Sequence, residues 1–239
     1  MRKFIIAALL LSTFGASLSY ANLLDKVKDY RAKQRESGGE LDSKTIIAGL
    51  KEALNVGAKN GVSTVSKVNG YFGNQMIKIL VPEKVKKIER LMRKAGMGKE
   101  VDKFVVSMNR AAEKAAPQAL SFFVAAIKEM TIPDAVKILR GKDTEATEYL
   151  RSKTYDRISG AFKPVVSSAM NDVGVTRSFK EMMDKAKSIP MLKRESVDLD
   201  QYVTSKALDG LFVMVGQEEQ KIRKDPAARV TELLRTVFK

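Results

Sequence analysis

The chain contains no cysteine, no histidine and no tryptophan. Without cysteine there are no disulfides, so core packing must hold the fold. The same absence excludes thiol nucleophiles, cysteine-ligated metals and a lipid attached to cysteine after leader cleavage. Without histidine the commonest general base is gone, and with it the Ser-His-Asp type of triad and the usual zinc and di-iron ligand sets. No metal site and no cofactor are expected, and no catalytic residue stands out. Past residue 21 no apolar run reaches membrane-spanning length; Ala115 to Met130 comes nearest and is interrupted by Pro117, Gln118 and Lys128. The mature protein is expected to be soluble or peripheral to a membrane.

The first 21 residues, MRKFIIAALLLSTFGASLSYA, have the three parts of a secretory leader. Arg2 and Lys3 supply positive charge, Phe4 to Leu11 a short apolar run, and Ser19-Tyr20-Ala21 a small-residue cleavage site. The mature chain is expected to begin near Asn22 and to reside in the periplasm, untethered by lipid. Losing Arg2 and Lys3 lowers the formal charge from +15 to +13. That excess favours anionic partners such as phospholipid head groups or acidic glycans, or simply keeps the surface soluble. Export argues against nucleic acid.

Apolar spacing is helical almost throughout. Residues 22–42 read as a short leading helix and a linker around Ser37-Gly38-Gly39, and 43–239 as one helical domain. Asp42 or Ser43 caps a helix that runs towards Val65 with Leu50, Ala53 and Leu54 inward, weakened at Gly57 and Gly61. Residues 69–81 read as a loop in which Ile77 to Val81 is extended. Pro82, Lys99 and Leu120 mark further helices, with a break at Pro117. Thr131 caps a short helix, Asp143 starts another, and Pro164 starts or kinks a segment ending near Asn171-Asp172-Val173-Gly174. Thr176 opens a helix closed by Ile189-Pro190, Asp198 caps a long one, and Asp225-Pro226 starts a final helix burying Val230, Leu233, Leu234 and Val237. The expected class is all-α, a single domain of about eight to ten helices after a cleavable signal peptide.

Four constellations carry chemistry. In Pro82 to Ala95, Lys84, Lys86, Lys87, Arg90, Arg93 and Lys94 surround one apolar stripe. Such a helix suits an anionic surface or an acidic partner, and equally an ordinary solvated face. Arg110 and Glu113 share one helix face in an alanine-rich stretch, as a polar pair inside a ligand cavity or as a structural ion pair. Asp198, Asp200, Asp209, Glu218 and Glu219 are better explained by helix capping than by calcium, since the calcium-loop Asp/Asn-Gly pattern is missing. Met182, Met183 and Met191 fill a core or line a lipid pocket.

Several stretches together resemble the bacterial domain-of-unknown-function 4197 family: GLKEALNVGAKN (49–60), SMNRAAEKAAP (107–117), DVGVTR (172–177), YVTSKALDGLF (202–212) and EEQKIRKDPAAR (218–229). The resemblance implies an exported protein of Gram-negative bacteria and brings no activity or catalytic residues. The expected function is non-enzymatic binding of an apolar or anionic amphiphilic ligand, an anionic lipid among them, or of an envelope protein. Arg110, Glu113 and Arg177 would be the polar site residues, and Lys86, Lys87, Arg90 and Arg93 a basic rim that permits peripheral membrane contact. A structural adaptor of an envelope complex is the alternative, and a carboxylate-based hydrolase a third reading. The residue pattern carries no oligomeric signal.

Overall fold

A computed structural model describes residues 43–186, 197–229, 231 and 235. The leader, the leading helix with its linker, Ile189-Pro190, Met191 and most of the final segment from Val230 lie outside the described residues. Within them the secondary structure is helical, with no strand. Eight α-helices follow one another: α1 (Ser43–Val65), α2 (Lys86–Lys94), α3 (Gly98–Ala115), α4 (Ala119–Glu129), α5 (Ile132–Arg140), α6 (Glu145–Asp172), α7 (Val175–Ala186) and α8 (Leu199–Lys224). Short 3₁₀ turns sit at Glu83–Val85, Ala116–Gln118 and Pro226–Ala228. The all-α class is therefore correct.

Local chemistry sets most boundaries. Thr131 accepts the Asp134 N–H, and Asp134 accepts the Thr131 N–H, a reciprocal cap that starts α5. Asp198 accepts the Gln201 N–H at 2.9 Å and starts α8. Gly174, at φ +73°, turns the chain from α6 into α7. Pro164 does not end a helix as its ring would suggest; α6 is assigned unbroken through it. Pro164 and Gly160 are both exposed, so the Gly160 carbonyl left without its N–H partner faces water.

α8 packs along α1 and α6 and also touches α3. Gly61 makes the α1 contact close: a Cβ there would stand 3.0 Å from Val215 Cγ2 and 3.2 Å from the Val215 backbone nitrogen. The weakening expected of Gly61 in α1 is thus offset by access to α8. Tyr155 and Phe123 bracket Phe212 at ring separations of 6.0 and 5.4 Å, which ties α6 and α4 to α8. Met182 is fully buried and Met183 packs against the same core.

One residue of α8 also builds the start of α6. Thr144 offers no side-chain cap there. Glu219 instead accepts the Ala146 N–H at 3.0 Å, the Thr147 N–H at 2.8 Å and the Thr147 hydroxyl at 2.8 Å. Arg223 pairs with Glu219 at 2.9 Å and donates to the Ile138 carbonyl at 2.8 Å, near the end of α5.

α7 is fastened to α3 by Lys103–Glu181 at 2.8 Å and by Glu100–Lys185. The lysine bonds hold both carboxyls below their ordinary 4.5. A carboxyl with a lowered folded pKa contributes stability that is present above 4.5 and is lost as pH falls through the folded value. Amides of α7 are therefore expected to exchange faster, relative to those of α8, at about pH 3 than at about pH 6. Equal protection ratios at the two pH values would remove this role for the pairs.

Candidate functional site

Between α1 and α2 the chain makes a turn and then an extended run, and side chains of α3 and α8 determine its path. Glu113 Oε1 accepts the N–H groups of Tyr71 and Phe72 at 3.1 and 3.2 Å. Arg110 bonds Glu113 Oε2 at 2.5 Å and the Asn69 side-chain oxygen at 2.8 Å, across a turn where Asn69 has φ +68°. The Tyr71 ring is fully buried, and its hydroxyl donates to the Ala207 carbonyl at 2.7 Å. Burial, reinforced by Glu113, raises the Tyr71 pKa and keeps this donor protonated. Gly210 admits the turn: a Cβ would lie 2.8 Å from Tyr71 Cε1 and 3.1 Å from Ile77 Cβ.

The run then alternates. Ile77, Ile79 and Val81 are buried, Lys78 is half-buried and Leu80 exposed. This is the period of an extended strand. Asn109, itself fully buried in α3, takes the place of a neighbouring strand. Its oxygen accepts the Ile79 N–H at 2.9 Å, and its Nδ2 donates to the Ile79 carbonyl at 2.8 Å and to the Val105 carbonyl at 2.8 Å. On the α8 side the Tyr202 hydroxyl donates to the Leu80 carbonyl at 2.9 Å.

Two depressions flank Leu80. The larger, about 290 Å³, lies between this run and α8 and is lined by Met76, Leu80, Val213, Lys78, Lys206 and Tyr202, among others. Met76 is 68% exposed and Leu80 54%. The smaller, about 160 Å³, lies towards α2 and α3 and includes Phe72, Arg93, Asp102 and Val105. Lys78, Leu80, Val81 and Lys86 line both. Lys78 Nζ also sits 4.1 Å over the Phe72 ring. A smaller cavity near Glu219, about 20 Å³, has room for little more than one water.

The residues expected from the sequence divide accordingly. Lys86 and Arg93 reach the depressions. Lys87 and Arg90 are exposed elsewhere on α2, and Arg177 is exposed on α7. Arg93 is bound to Asp102 at 2.8 Å and Glu89 at 3.0 Å; the Asp102 bond does most to hold the guanidinium protonated. Arg110 and Glu113 meet as foreseen, and the groups they hold belong to the 69–72 turn. The acidic set is dispersed: Asp198 caps α8, Asp209 pairs with Arg151 at 2.6 Å, Glu218 with Lys221, and Glu219 with Arg223. Lys78, Lys206 and Val213 were not singled out from the sequence; Asn109 was read only as the head of the stretch holding Arg110 and Glu113, and Tyr202 only as part of the apolar side of α8. Their signals were the Ile-Lys-Ile-Leu-Val alternation and an asparagine on the apolar face of α3.

No helix among the described residues is long and apolar enough to cross a membrane. No curated protein and no solved structure matches the chain. The family described as a protein of unknown function, DUF4197, matches residues 40–239. That span takes in every helix among the described residues and the groove beside Leu80, and the chain belongs to this family.

Proposed function

We propose that the protein is a non-enzymatic binding module of the periplasm, taking a ligand or partner segment that carries apolar surface beside negative charge. The groove between the extended run and α8 carries this reading. Met76, Leu80 and Val213 are exposed apolar side chains, and Lys78, Lys86 and Lys206 stand at the same opening. Glu83 and Asp209 line the same groove but are paired with Lys86 and Arg151, so Lys78 and Lys206 supply its positive charge, and exposed apolar groups beside it favour an amphiphilic anion. The leader pattern at residues 1–21 and the +15 formal charge support the compartment and the sign of the partner.

Anilinonaphthalene sulfonate, an apolar anion that brightens when shielded from water, is a suitable probe. Saturable binding at one site is expected, weakened about tenfold by Lys206→Glu and by Val213→Asp. Dye binding that neither substitution changes would overturn the assignment to this groove.

A further inference from the structure

The groove has a backbone edge as well as side chains. In an extended run the N–H and C=O of one residue point to one edge, and those of its neighbours to the other. Both polar groups of Ile79 are taken by Asn109 on the α3 side. The Lys78 carbonyl and both polar groups of Leu80 therefore face the opposite edge. The position of Tyr202 agrees, because it reaches the Leu80 carbonyl from α8 and lines the groove. The Lys78 N–H is satisfied by the Asn74 carbonyl. The Lys78 carbonyl and the Leu80 N–H have no protein partner among the described residues.

This carbonyl and this N–H flank Ile79, the spacing at which one residue of an added parallel strand both donates and accepts. An acyl chain laid here would take water from both groups and return nothing, whereas a peptide main chain would pair with them. Around the edge, Met76 and Val213 offer apolar contact, and Lys78 and Lys206 offer positive charge, while the two carboxylates of the lining, Glu83 and Asp209, are paired with Lys86 and Arg151. Resting on the binding role proposed above, we infer that the occupant is an extended peptide segment with alternating apolar and acidic residues. It adds to the run at 78–81 as a strand in the manner of β-augmentation, its acidic side chains towards Lys78 and Lys206. Asn109 is the positioning residue, because it fixes which edge is presented.

The test uses the full chain and a fluorescein-labelled hexapeptide of alternating leucine and glutamate. Two further versions are N-methylated on one or the other set of alternate amides. Saturable binding is expected, weakened about tenfold by one methylated set and little changed by the other. The Leu80 amide should exchange more slowly in the complex, and Lys206→Glu should weaken binding about tenfold. Equal affinity for the two methylated peptides would overturn strand addition. If dihexanoyl phosphatidylglycerol displaces the dye from the groove while no peptide does, the peptide inference fails and the binding role stands. If dye, lipid and peptide all fail to bind, both fall.

Discussion

Replacing Glu219 by alanine is expected to destabilise the protein by about 3–5 kcal/mol, the range seen when one partner of a buried ion pair is removed. Glu219 is 8% exposed, and it does two tasks. It caps α6 through the Ala146 and Thr147 N–H groups, and it neutralises Arg223, whose side chain is 12% exposed. Truncation leaves two helix-terminal donors without their acceptor and takes the counter-charge from a largely buried guanidinium that still donates to the Ile138 carbonyl. For a chain of this size the melting temperature should fall by roughly 10 °C. Glu219→Gln keeps one acceptor oxygen but loses the charge and sets an NH2 against donors now bound by the other oxygen, so thermal unfolding followed by circular dichroism should place it between the two. A loss under about 1 kcal/mol in Glu219→Ala would show that water replaces the carboxylate and that the cap is dispensable.

Asn109→Ala is expected to cost about 2–4 kcal/mol and to remove the saturable dye site together with it. The Ile79 N–H and carbonyl both lose their partner, and Ile79 is 1% exposed. Asn109→Asp is the sharper experiment. The oxygen that accepts the Ile79 N–H is retained, but the donor is replaced by an oxygen facing the Ile79 and Val105 carbonyls. Ionisation is opposed there, so the introduced carboxyl should have a folded pKa above its unfolded value of about 4. Its folded state holds the proton longer, and stability falls as pH rises from the unfolded towards the folded pKa. The variant should melt higher near pH 4, relative to the parent protein, than at about pH 7. A constant difference across that range would mean that the two carbonyls turn away and the clamp is soft.

The helices were legible because their signals are local. Thr131 with Asp134 and Asp198 with Gln201 are contacts across three residues, and Gly174 acts on its own backbone. Pro164 does not start a new segment, because the cost of a missing N–H depends on whether the freed carbonyl meets water, which sequence does not state. The groove was less legible still. Lys78 and Lys206 are 128 positions apart in the chain and meet only because Gly210 lets Tyr71 and Ile77 settle on α8. Charge density on one helix drew attention to α2, yet only Lys86 and Arg93 of its four expected rim cations turn towards the depressions. The Arg110–Glu113 pair was visible from its spacing, but the backbone it secures lies about forty residues earlier.

The position of α8 in the chain order gives assembly a direction. Synthesis delivers α1 to α7 before α8, yet α1 needs α8 at Gly61, α6 needs Glu219 at its first turn, and Tyr71 needs the Ala207 carbonyl. These contacts join residues 73 to 154 positions apart, and closing such long loops precedes any return from them. A nascent chain ending before residue 199 can pair α3 with α6 and α7 and α4 with α1 and α6, but it lacks the element that packs along both α1 and α6. Commitment to the native topology therefore comes late, and the preceding helices must be kept from mispairing until α8 arrives.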